Sequence, residues 1–551
     1  MVPNRPKPFD CSIALATVKT GALKALPIAL LTLIPLGVIF YLALTSETSL
    51  WAHFAQYVLP PVVGNTLLLM VCVAAGVIVI GVPLAWITAV CEFPGRRFFQ
   101  WALVLPLAMP AYVLAFVQMG IFEFTGPVQS TLRLWFGPEL WLPDIRGSLW
   151  GLVMVLVSAF YPYVYLLSRS AFITQGPRAM EAARCLGMGP YWSFFKAALP
   201  MAKPWILGGL ALVLMETMAD FGAVAVFNYD TFTTAIYKAW FDMHNLGAAT
   251  QLASILILCV LTLFAFEQKA TKQQRFHVNN PITARSQLRG KQALLCTVLC
   301  AATFMFTFLV PMLQLIAWAW QSWKEQIDMR YFEFAANSLI LAILAASLAT
   351  MLALSLSWIK RRNPDPTTIW ISKLGTLGYA LPGVVLAVGI YIPIAWLDNA
   401  LGALLENFKI TELQLLKGTL ITMLLALAAR FMAVAFQSTD SSMQRITKNQ
   451  EDVCSSLGLN TLQILVKLHL PLLKPGLLAA FLMVMIDVMK EMPITLMTRQ
   501  YGWDTLAVRV YQLTSESLWV EAASPALIIA LLGLIPVIYL IGKTNQTGHS
   551  A

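Results

Sequence analysis

The chain has 551 residues, of which 59% are hydrophobic and only 12% are charged, and its mean hydropathy is +0.73. Soluble proteins carry about 25% charged residues, so this composition excludes an ordinary soluble enzyme. It also excludes a disordered chain, because the apolar fraction is high, and a disulfide scaffold, because 8 Cys are sparse in this length. A polytopic membrane protein remains.

Apolar runs of about 20 residues, the length that crosses about 30 Å of hydrocarbon, recur along the chain. Each is predicted to form a helix, because lipid offers no partner for free backbone N–H and C=O groups. The first run lacks a small-residue cleavage site at its end, so we interpret it as a retained span. Twelve spans, numbered in chain order, are predicted near 26–45, 62–90, 99–121, 148–168, 204–227, 249–266, 293–320, 337–359, 370–396, 418–437, 475–498 and 524–541.

The distribution of basic residues predicts the orientation of these spans. With the N-terminus inside, 25 of the 37 Lys and Arg fall in the N-terminal segment, the even-numbered loops and the tail, and 9 fall in the odd-numbered loops. This asymmetry follows the positive-inside rule, so the net charge of +10 needs no nucleic acid. Both termini are therefore expected in the cytoplasm.

The sequence repeats itself at an offset of about 271 residues. Asn65 opens span 2 and Asn337 opens span 8, while Pro110 of span 3 returns as Pro382 of span 9. Six spans per half give both halves the same orientation, a parallel repeat about an axis along the membrane normal. We predict a first six-helix half at 1–268, a polar cytoplasmic linker at 269–291 and a second six-helix half at 292–551.

The strongest repeat lies in the long loops after spans 4 and 10. Each loop is predicted to contain a short helix, a glycine break, an amphipathic segment (Tyr191 to Ala198; Leu462 to Leu468) and a proline that starts the next span. Such a helix pair suits docking into a groove of a soluble partner. The motif residues are Glu181, Ala182, Ala183, Gly187, Leu199 and Pro200 in the first loop, and Asp452, Val453, Cys454, Gly458, Leu470 and Pro471 in the second.

Both loops resemble the EAA loop of ABC-importer permeases. The first copy matches the family pattern throughout, and the second departs at Asp452, Val453 and Cys454. The stretches Met-Glu-Thr-Met-Ala-Asp-Phe-Gly (215–222) and Lys-Glu-Met-Pro-Ile-Thr-Leu (490–496) resemble the fused permeases of ferric-ion importers. Thiamine and phosphonate importers include similar fused permeases and stay open as alternatives. The resemblance implies a type I importer permease in a bacterial inner membrane, with the loop residues coupling it to ATPase subunits.

The chain is expected to depend on partners for energy and for substrate. Its Gly542-Lys543-Thr544 has Val537 where a phosphate loop requires its first glycine, so we predict a transport subunit without its own ATPase site. Two EAA loops imply two cytoplasmic subunits, which would bind ATP and magnesium. The resemblance adds one periplasmic binding protein, which we expect loops 226–248 and 498–523 to receive. No cofactor is predicted in this chain.

Charged residues inside predicted spans are the candidate pathway. Isolated ionisable groups at mid-bilayer cost about 2.5–3.5 kcal/mol each on insertion scales, so they normally face a bundle interior or a water-filled path. Glu216 and Asp220 in span 5, and Asp487 and Glu491 in span 11, have i,i+4 spacing, which predicts one helical face for each pair. The repeat would bring them, with Lys490, toward a common axis.

Two interpretations of these five residues stay open. The four carboxylates offer the oxygen ligands that a hard trivalent cation prefers, so they are candidates for transient Fe³⁺ contact without tight metal binding. Alternatively, they are structural charges that hydrogen-bond to neighbouring helices or pair with Arg430 and Lys490. An ion-coupled secondary transporter is the competing function for the whole chain, although the paired EAA loops oppose it. A membrane-embedded enzyme would need convergent catalytic residues that the sequence does not offer.

Overall fold

The computed structural model describes residues 11–46, 51–138, 144–174, 183, 185–272, 285–326, 329–406, 416 and 418–547. Within these ranges, eleven helices are long and apolar enough to cross a membrane. A shorter apolar helix, Trp519–Ile535, lies at the position of predicted span 12. The prediction of an all-α polytopic membrane protein is confirmed.

The chain divides into two compact units, each of which combines parts of both sequence halves. One unit contains Met1–Tyr41 and Leu339–Gly502, and the other contains Leu42–Ser338 and Trp503–Ala551. Span 1 therefore belongs to the same unit as spans 9 to 11, and span 12 belongs with spans 2 to 6. The half boundaries at 268 and 292 concern the sequence repeat and stay a prediction.

The helices of the unit containing span 1 begin with that span and resume in the second half. Those at spans 1 and 8 to 11 are Cys11–Thr45, Met329–Arg362, Gly383–Glu406, Leu420–Met443 and Leu470–Lys490. Shorter helices are Pro366–Gly375, Leu377–Ala380 (3-10), Lys448–Ser456, Thr461–Ile464, Leu465–His469 (π) and Pro493–Thr498. Ala25 of span 1 packs against Leu356 and Ile359 of span 8 in one apolar cluster.

The helices of the other unit form spans 2 to 7 and 12. They are Leu59–Val90, Ala111–Phe122, Leu149–Thr174, Leu199–Ala219, Leu246–Lys272, Lys291–Phe304 with Val310–Gln326, and Trp519–Thr547. Shorter helices are Trp51–His53, Arg96–Ala102, Leu105–Ala108 (3-10), Pro127–Phe136, Pro190–Ser193, Gly222–Val226, Phe232–Tyr237 and Leu506–Ser515, with π turns at Phe54–Val58, Phe194–Ala198, Lys238–Asp242 and Met305–Leu309. Two short strands, Cys91–Glu92 and Ser286–Gln287, pair in parallel.

The sequence predicted a continuous helix for span 3 and for span 9, but both spans are broken in the structure. Each begins with a short helix, passes through a 3-10 turn and restarts at a proline, Pro110 or Pro382. The residues before these prolines, Met109 and Leu381, have extended backbones. Proline lacks an N–H and disfavours helical geometry in the residue before it, so both spans break at the same point of the repeat.

Buried tyrosines of span 4 stabilise the break in span 3. The Tyr161 hydroxyl donates to the carbonyl of Leu103 at 2.8 Å, and the Tyr165 hydroxyl donates to the carbonyl of Gln100 at 3.1 Å. Both tyrosine side chains are fully buried. The break would otherwise leave helix-end carbonyls without donors in a medium that contains no water.

Candidate functional site

We call the EAA-like loops after spans 4 and 10 the first and second coupling loops, after their predicted role. The second coupling loop lies entirely within the described residues and has the predicted glycine break. Its first helix, Lys448–Ser456, begins with a capping box at Thr447. Gly458 follows with φ of +79°, and the N–H of Leu459 donates to the carbonyl of Cys454 at 3.2 Å. This six-to-one hydrogen bond with a left-handed glycine is the Schellman arrangement, which ends a helix and redirects the chain.

The first coupling loop ends its helix in the same way. Gly187 has φ of +78°, and the N–H of Met188 donates to the carbonyl of Ala183 at 3.0 Å. At the repeat offset of 271, Ala183, Gly187 and Met188 correspond to Cys454, Gly458 and Leu459 of the second loop. Glu181 and Ala182 lie outside the described residues. The two loops therefore share a helix end whose direction depends on a glycine.

The amphipathic segment after each glycine runs directly into the next span. A π turn joins them at Phe194–Ala198 in the first copy and at Leu465–His469 in the second. Span 5 then begins at Leu199-Pro200 and span 11 at Leu470-Pro471, with the proline in the first turn. The wider turn accommodates a proline ring that would collide with the carbonyl four residues earlier. The amphipathic segment and the span that follows it therefore form one continuous helical path in each half.

A polar cluster anchors the second coupling loop to its own unit. Glu451, beside the motif residue Asp452, accepts from Arg361 Nε at 3.0 Å and lies 3.1 Å from His469 Nε2. Arg361 also donates to the carbonyls of Met443 and Ile446 at the end of span 10. The Glu451 side chain, on the helix Lys448–Ser456, thus contacts both Arg361 at the end of span 8 and His469 just before span 11.

The first carboxylate pair does not lie on one helical face, so that prediction is wrong. The span 5 helix ends at Ala219, and Asp220 has an extended backbone with ψ of 128°. Its carboxylate accepts from the N–H groups of Ala223 and Val224 at 2.9 and 3.2 Å. Asp220 therefore starts the following helix, since an acidic oxygen satisfies donors that a helix N-terminus leaves free. Glu216 stays on the helix one turn earlier.

The second pair is divided in the same way. The span 11 helix ends at Lys490, and Glu491 has an extended backbone with ψ of 116°. Its carboxylate accepts from the N–H of Ile494 at 3.2 Å and lies 3.1 Å from Nη1 of Arg430. The ion pair with Arg430 that the structural alternative allowed is therefore present, while the choice between a structural and a pathway role stays a prediction. Asp487 remains within the helix.

Residues that follow spans 5 and 11 meet at a cavity that the sequence did not predict. Tyr237 and Tyr511 end the two copies of a repeated motif that begins with Asp-Thr, at 230–237 and 504–511. Both rings contact Phe221, with centroids 5.1 and 5.8 Å away. A cavity of about 350 Å³ lies beside them. The remaining lining residues are Ala225, Asn228, Tyr229, Asp230, Thr234, Lys238 and Asp242.

The cavity carries mixed charge and neutral phenols. Lys238 Nζ lies 2.6 Å from Asp230 Oδ1, so this lysine and this aspartate neutralise each other. Burial, together with the nearby Tyr237, raises the pKa of Tyr511, which keeps the phenol protonated at neutral pH. Asp242 adds a carboxylate. The repeated tyrosine in the two motifs was the sequence signal for this site.

Repeated broken spans and paired loops define a membrane transport protein built from two related halves. Residues 81–270 match the family described as "Binding-protein-dependent transport system inner membrane component". The chain is 30% identical to the Fe(3+)-transport system permease protein FbpB 2 of Haemophilus influenzae, covering 86% of this chain and 88% of the relative. The chain belongs to the family of binding-protein-dependent ABC importer permeases.

Other relatives match shorter parts of the chain. The sulfate transport permease CysT of Escherichia coli is 27% identical, covering 45% of this chain and 89% of its own length. The molybdenum transport permease ModB of the same species is 29% identical, covering 27% of this chain and 62% of its own length. The relatives are transport subunits of inner membranes. Among the described residues, no three His, Cys, Asp or Glu side chains group as metal ligands would.

Proposed function

We propose that this chain is the transmembrane permease of an ATP-driven, binding-protein-dependent importer of ferric iron. The observation that carries the coupling role is the shared helix end at Gly187 and Gly458, with the same hydrogen bond in both loops. Two equivalent docking elements suit two ATPase subunits, which bind ATP and magnesium. This chain supplies no ATPase site of its own, and one periplasmic binding protein delivers the substrate.

The choice of iron is supported by the relative whose printed name specifies Fe(3+), because that likeness extends over 86% of the chain. The sulfate and molybdenum relatives described above match less than half of it. Carboxylate oxygens, such as those of Glu216 and Asp487, also suit a hard cation better than an oxyanion. Thiamine and phosphonate remain the alternatives that the sequence resemblance leaves open.

In this proposal the carboxylates have two different roles. Asp220 and Glu491 hold the breaks open by accepting backbone N–H groups, while Glu216 and Asp487 face the pathway one turn away. Lys490 lowers the affinity for cations by competing for Asp487. Sparse, weak oxygen sites allow the ion to leave, and a membrane potential favours inward movement by about 2.3 kcal/mol per charge per 100 mV. The Fe³⁺ contact is therefore transient.

The cavity beside Tyr237 and Tyr511 is the entry to this pathway in the proposed orientation. Basic loops, both coupling loops and both chain termini then face the cytoplasm of a bacterial cell. Loops 226–248 and 498–523 face the periplasm and receive the binding protein. Closure of the two ATPase subunits on ATP moves the coupling helices, and the continuous helices of spans 5 and 11 transmit that movement to the breaks.

Reconstituted transport tests this function. The permease is assembled in proteoliposomes with its ATPase subunits and binding protein, and uptake of radiolabelled ferric iron, sulfate and molybdate is compared with and without ATP. We expect ATP-dependent uptake of iron alone. ATP-dependent uptake of sulfate or molybdate, without uptake of iron, would show that the substrate is an oxyanion. Uptake driven by an ion gradient without an ATPase would show that the protein is a secondary transporter.

A further inference from the structure

Arginine side chains converge at the end of spans 2 to 4 that the charge distribution assigns to the cytoplasm. Arg96 Nε lies 2.9 Å from Glu92 Oε2, and Arg285 Nη1 lies 3.8 Å from the same oxygen. Arg96 and Arg169 both donate to Oε1 of Gln100, at 3.3 and 2.9 Å. Three guanidinium groups are thus held around one carboxylate and one neutral amide.

The short parallel sheet fixes the end of the linker beside this cluster. Ser286–Gln287 pairs with Cys91–Glu92, and the N–H of Leu288 donates to the carbonyl of Glu92 at 3.0 Å. Arg285 directly precedes the paired strand. The backbone hydrogen bonds of the strand therefore place the main chain at Arg285 beside Glu92.

Positive charge exceeds negative charge in this cluster. The Arg96 side chain is only 6% exposed, and Nε of Arg169 is buried with no hydrogen-bond partner in the described part of the chain. Burial and the charges of Arg96, Arg169 and Arg97 lower the pKa of Arg285, and Glu92 only partly opposes them. Partly buried like charges at this spacing are stable when an anion lies among them.

Exposed apolar side chains lie on the helices that flank the arginines. Phe98, two residues after Arg96, is 56% exposed and meets Phe304 edge to face at 5.5 Å. Leu295 and Leu299 are exposed on the helix Lys291–Phe304, which packs against Arg96–Ala102. A basic cluster beside an apolar surface matches a molecule with an anionic head and hydrocarbon chains.

We propose that Arg96, Arg169 and Arg285 bind the phosphate group of an anionic phospholipid, whose acyl chains cover Phe98 and the neighbouring helix. Guanidinium groups suit phosphate because their planar N–H donors bind two oxygens at once. Basic pockets between membrane helices on the cytoplasmic side are known to hold such head groups. A free phosphate ion offers the same head chemistry without the chains. This site is independent of the transport substrate.

Lipid retention by the purified permease tests the proposal. Native mass spectrometry measures the lipid that stays bound after incubation with phosphatidylglycerol, phosphatidylcholine or inorganic phosphate. We expect the natural chain to retain phosphatidylglycerol, and R285Q to retain it about five-fold less, the factor that about 1 kcal/mol per basic residue gives. R285Q leaves the Arg96–Glu92 pair in place. R362Q, which removes an arginine of another cytoplasmic loop, is the matched control and should retain the lipid fully.

Thermal unfolding in detergent confirms that each variant is folded, and R169Q, which removes another of the three proposed ligands, replaces R285Q if that variant is not. Equal retention of the two phospholipids, or equal loss in R285Q and R362Q, would overturn the site. Displacement of phosphatidylglycerol by millimolar phosphate would overturn the lipid as its ligand. Protection of the cluster from a guanidinium-modifying reagent by the ATPase subunit alone, with no lipid retained, would make it a protein-docking surface and also overturn the proposal.

Discussion

Arg430 and Glu491 form an ion pair, with Nη1 and Oε1 separated by 3.1 Å, where span 10 passes the break in span 11. The equivalent of Glu491 in the first half is Asp220, but the equivalent of Arg430 is Ala159. A Cβ on Gly383 would collide with both the guanidinium and the carboxylate, so a side chain at this position would displace the ion pair. The two halves therefore stabilise equivalent breaks by different means.

Neutralising one member of this ion pair should lower the free energy of unfolding strongly, whereas replacing both members should lower it little. Glu491→Gln leaves Arg430 buried without its counter-charge, and we expect a loss of about 3–5 kcal/mol in the free energy of unfolding. Arg430→Met with Glu491→Gln should recover most of that loss, because neither member of the pair is left buried with its charge unpaired. Denaturant titration in detergent measures both variants. Additive losses in the double variant would show that the two side chains do not interact.

The coupling glycines should be intolerant of substitution for reasons of backbone geometry alone. Gly187 and Gly458 have positive φ, and a Cβ at either would meet nothing within 4 Å. Valine at each position costs about 1–2 kcal/mol or more, because the left-handed region brings its Cβ close to a carbonyl oxygen. We expect the double valine variant to insert normally but to bind ATPase subunits about 5- to 30-fold more weakly, measured by co-purification, and to lose uptake.

Gly189 provides the matched control for that experiment. It lies in the same loop, its added Cβ would also meet nothing within 4 Å, and its backbone is outside the left-handed region. Gly189→Val should therefore bind the ATPase as the natural chain does. If the double variant also binds the ATPase normally and transports, these loops do not couple the permease to ATP hydrolysis.

The tyrosine hydroxyls should matter for uptake if the cavity is the entry of the pathway. Tyr237→Phe with Tyr511→Phe removes two oxygen ligands and keeps both rings packed on Phe221. Hydrogen bonds to charged groups contribute about 1.5–3 kcal/mol, so we expect at least a ten-fold fall in iron uptake with basal ATPase activity retained. Tyr501→Phe, at a fully exposed side chain, is the control. Normal uptake by the double variant would place the pathway elsewhere.

Impermeant thiol labelling should locate the cavity loops outside the cell. In a variant that keeps only native Cys185, a cysteine placed at Asn245 or Ser515 should be labelled in intact cells. Cys185, an exposed thiol of the first coupling loop, should be labelled only after the membrane is opened. The reverse labelling pattern would invert the proposed orientation, because loop 226–248 and the first coupling loop lie at opposite ends of span 5.

The sequence predicted most of the spans because twenty-residue apolar runs have few alternatives in lipid. The breaks at Pro110 and Pro382 were also readable in principle, since proline restricts the residue before it. The prediction that each carboxylate pair shares one helical face was wrong because Asp220 and Glu491 accept hydrogen bonds from backbone N–H groups beyond the helix end. Sequence spacing alone does not reveal this competition. The proximity of Tyr237 and Tyr511, 274 positions apart, depends on the tertiary packing of both halves.

Span 1 packs within the unit that also contains spans 9 to 11, and its Thr32 hydroxyl donates to the carbonyl of Gly375 at 3.0 Å, 343 positions later. A ribosome adding about 5–20 residues per second needs roughly 20 to 70 s to make the intervening chain. During synthesis the first helix therefore waits in the bilayer with its buried face uncovered. A nascent chain truncated before span 9 should accordingly be a substrate for membrane proteases and insertion chaperones, even though it contains every helix of the first half.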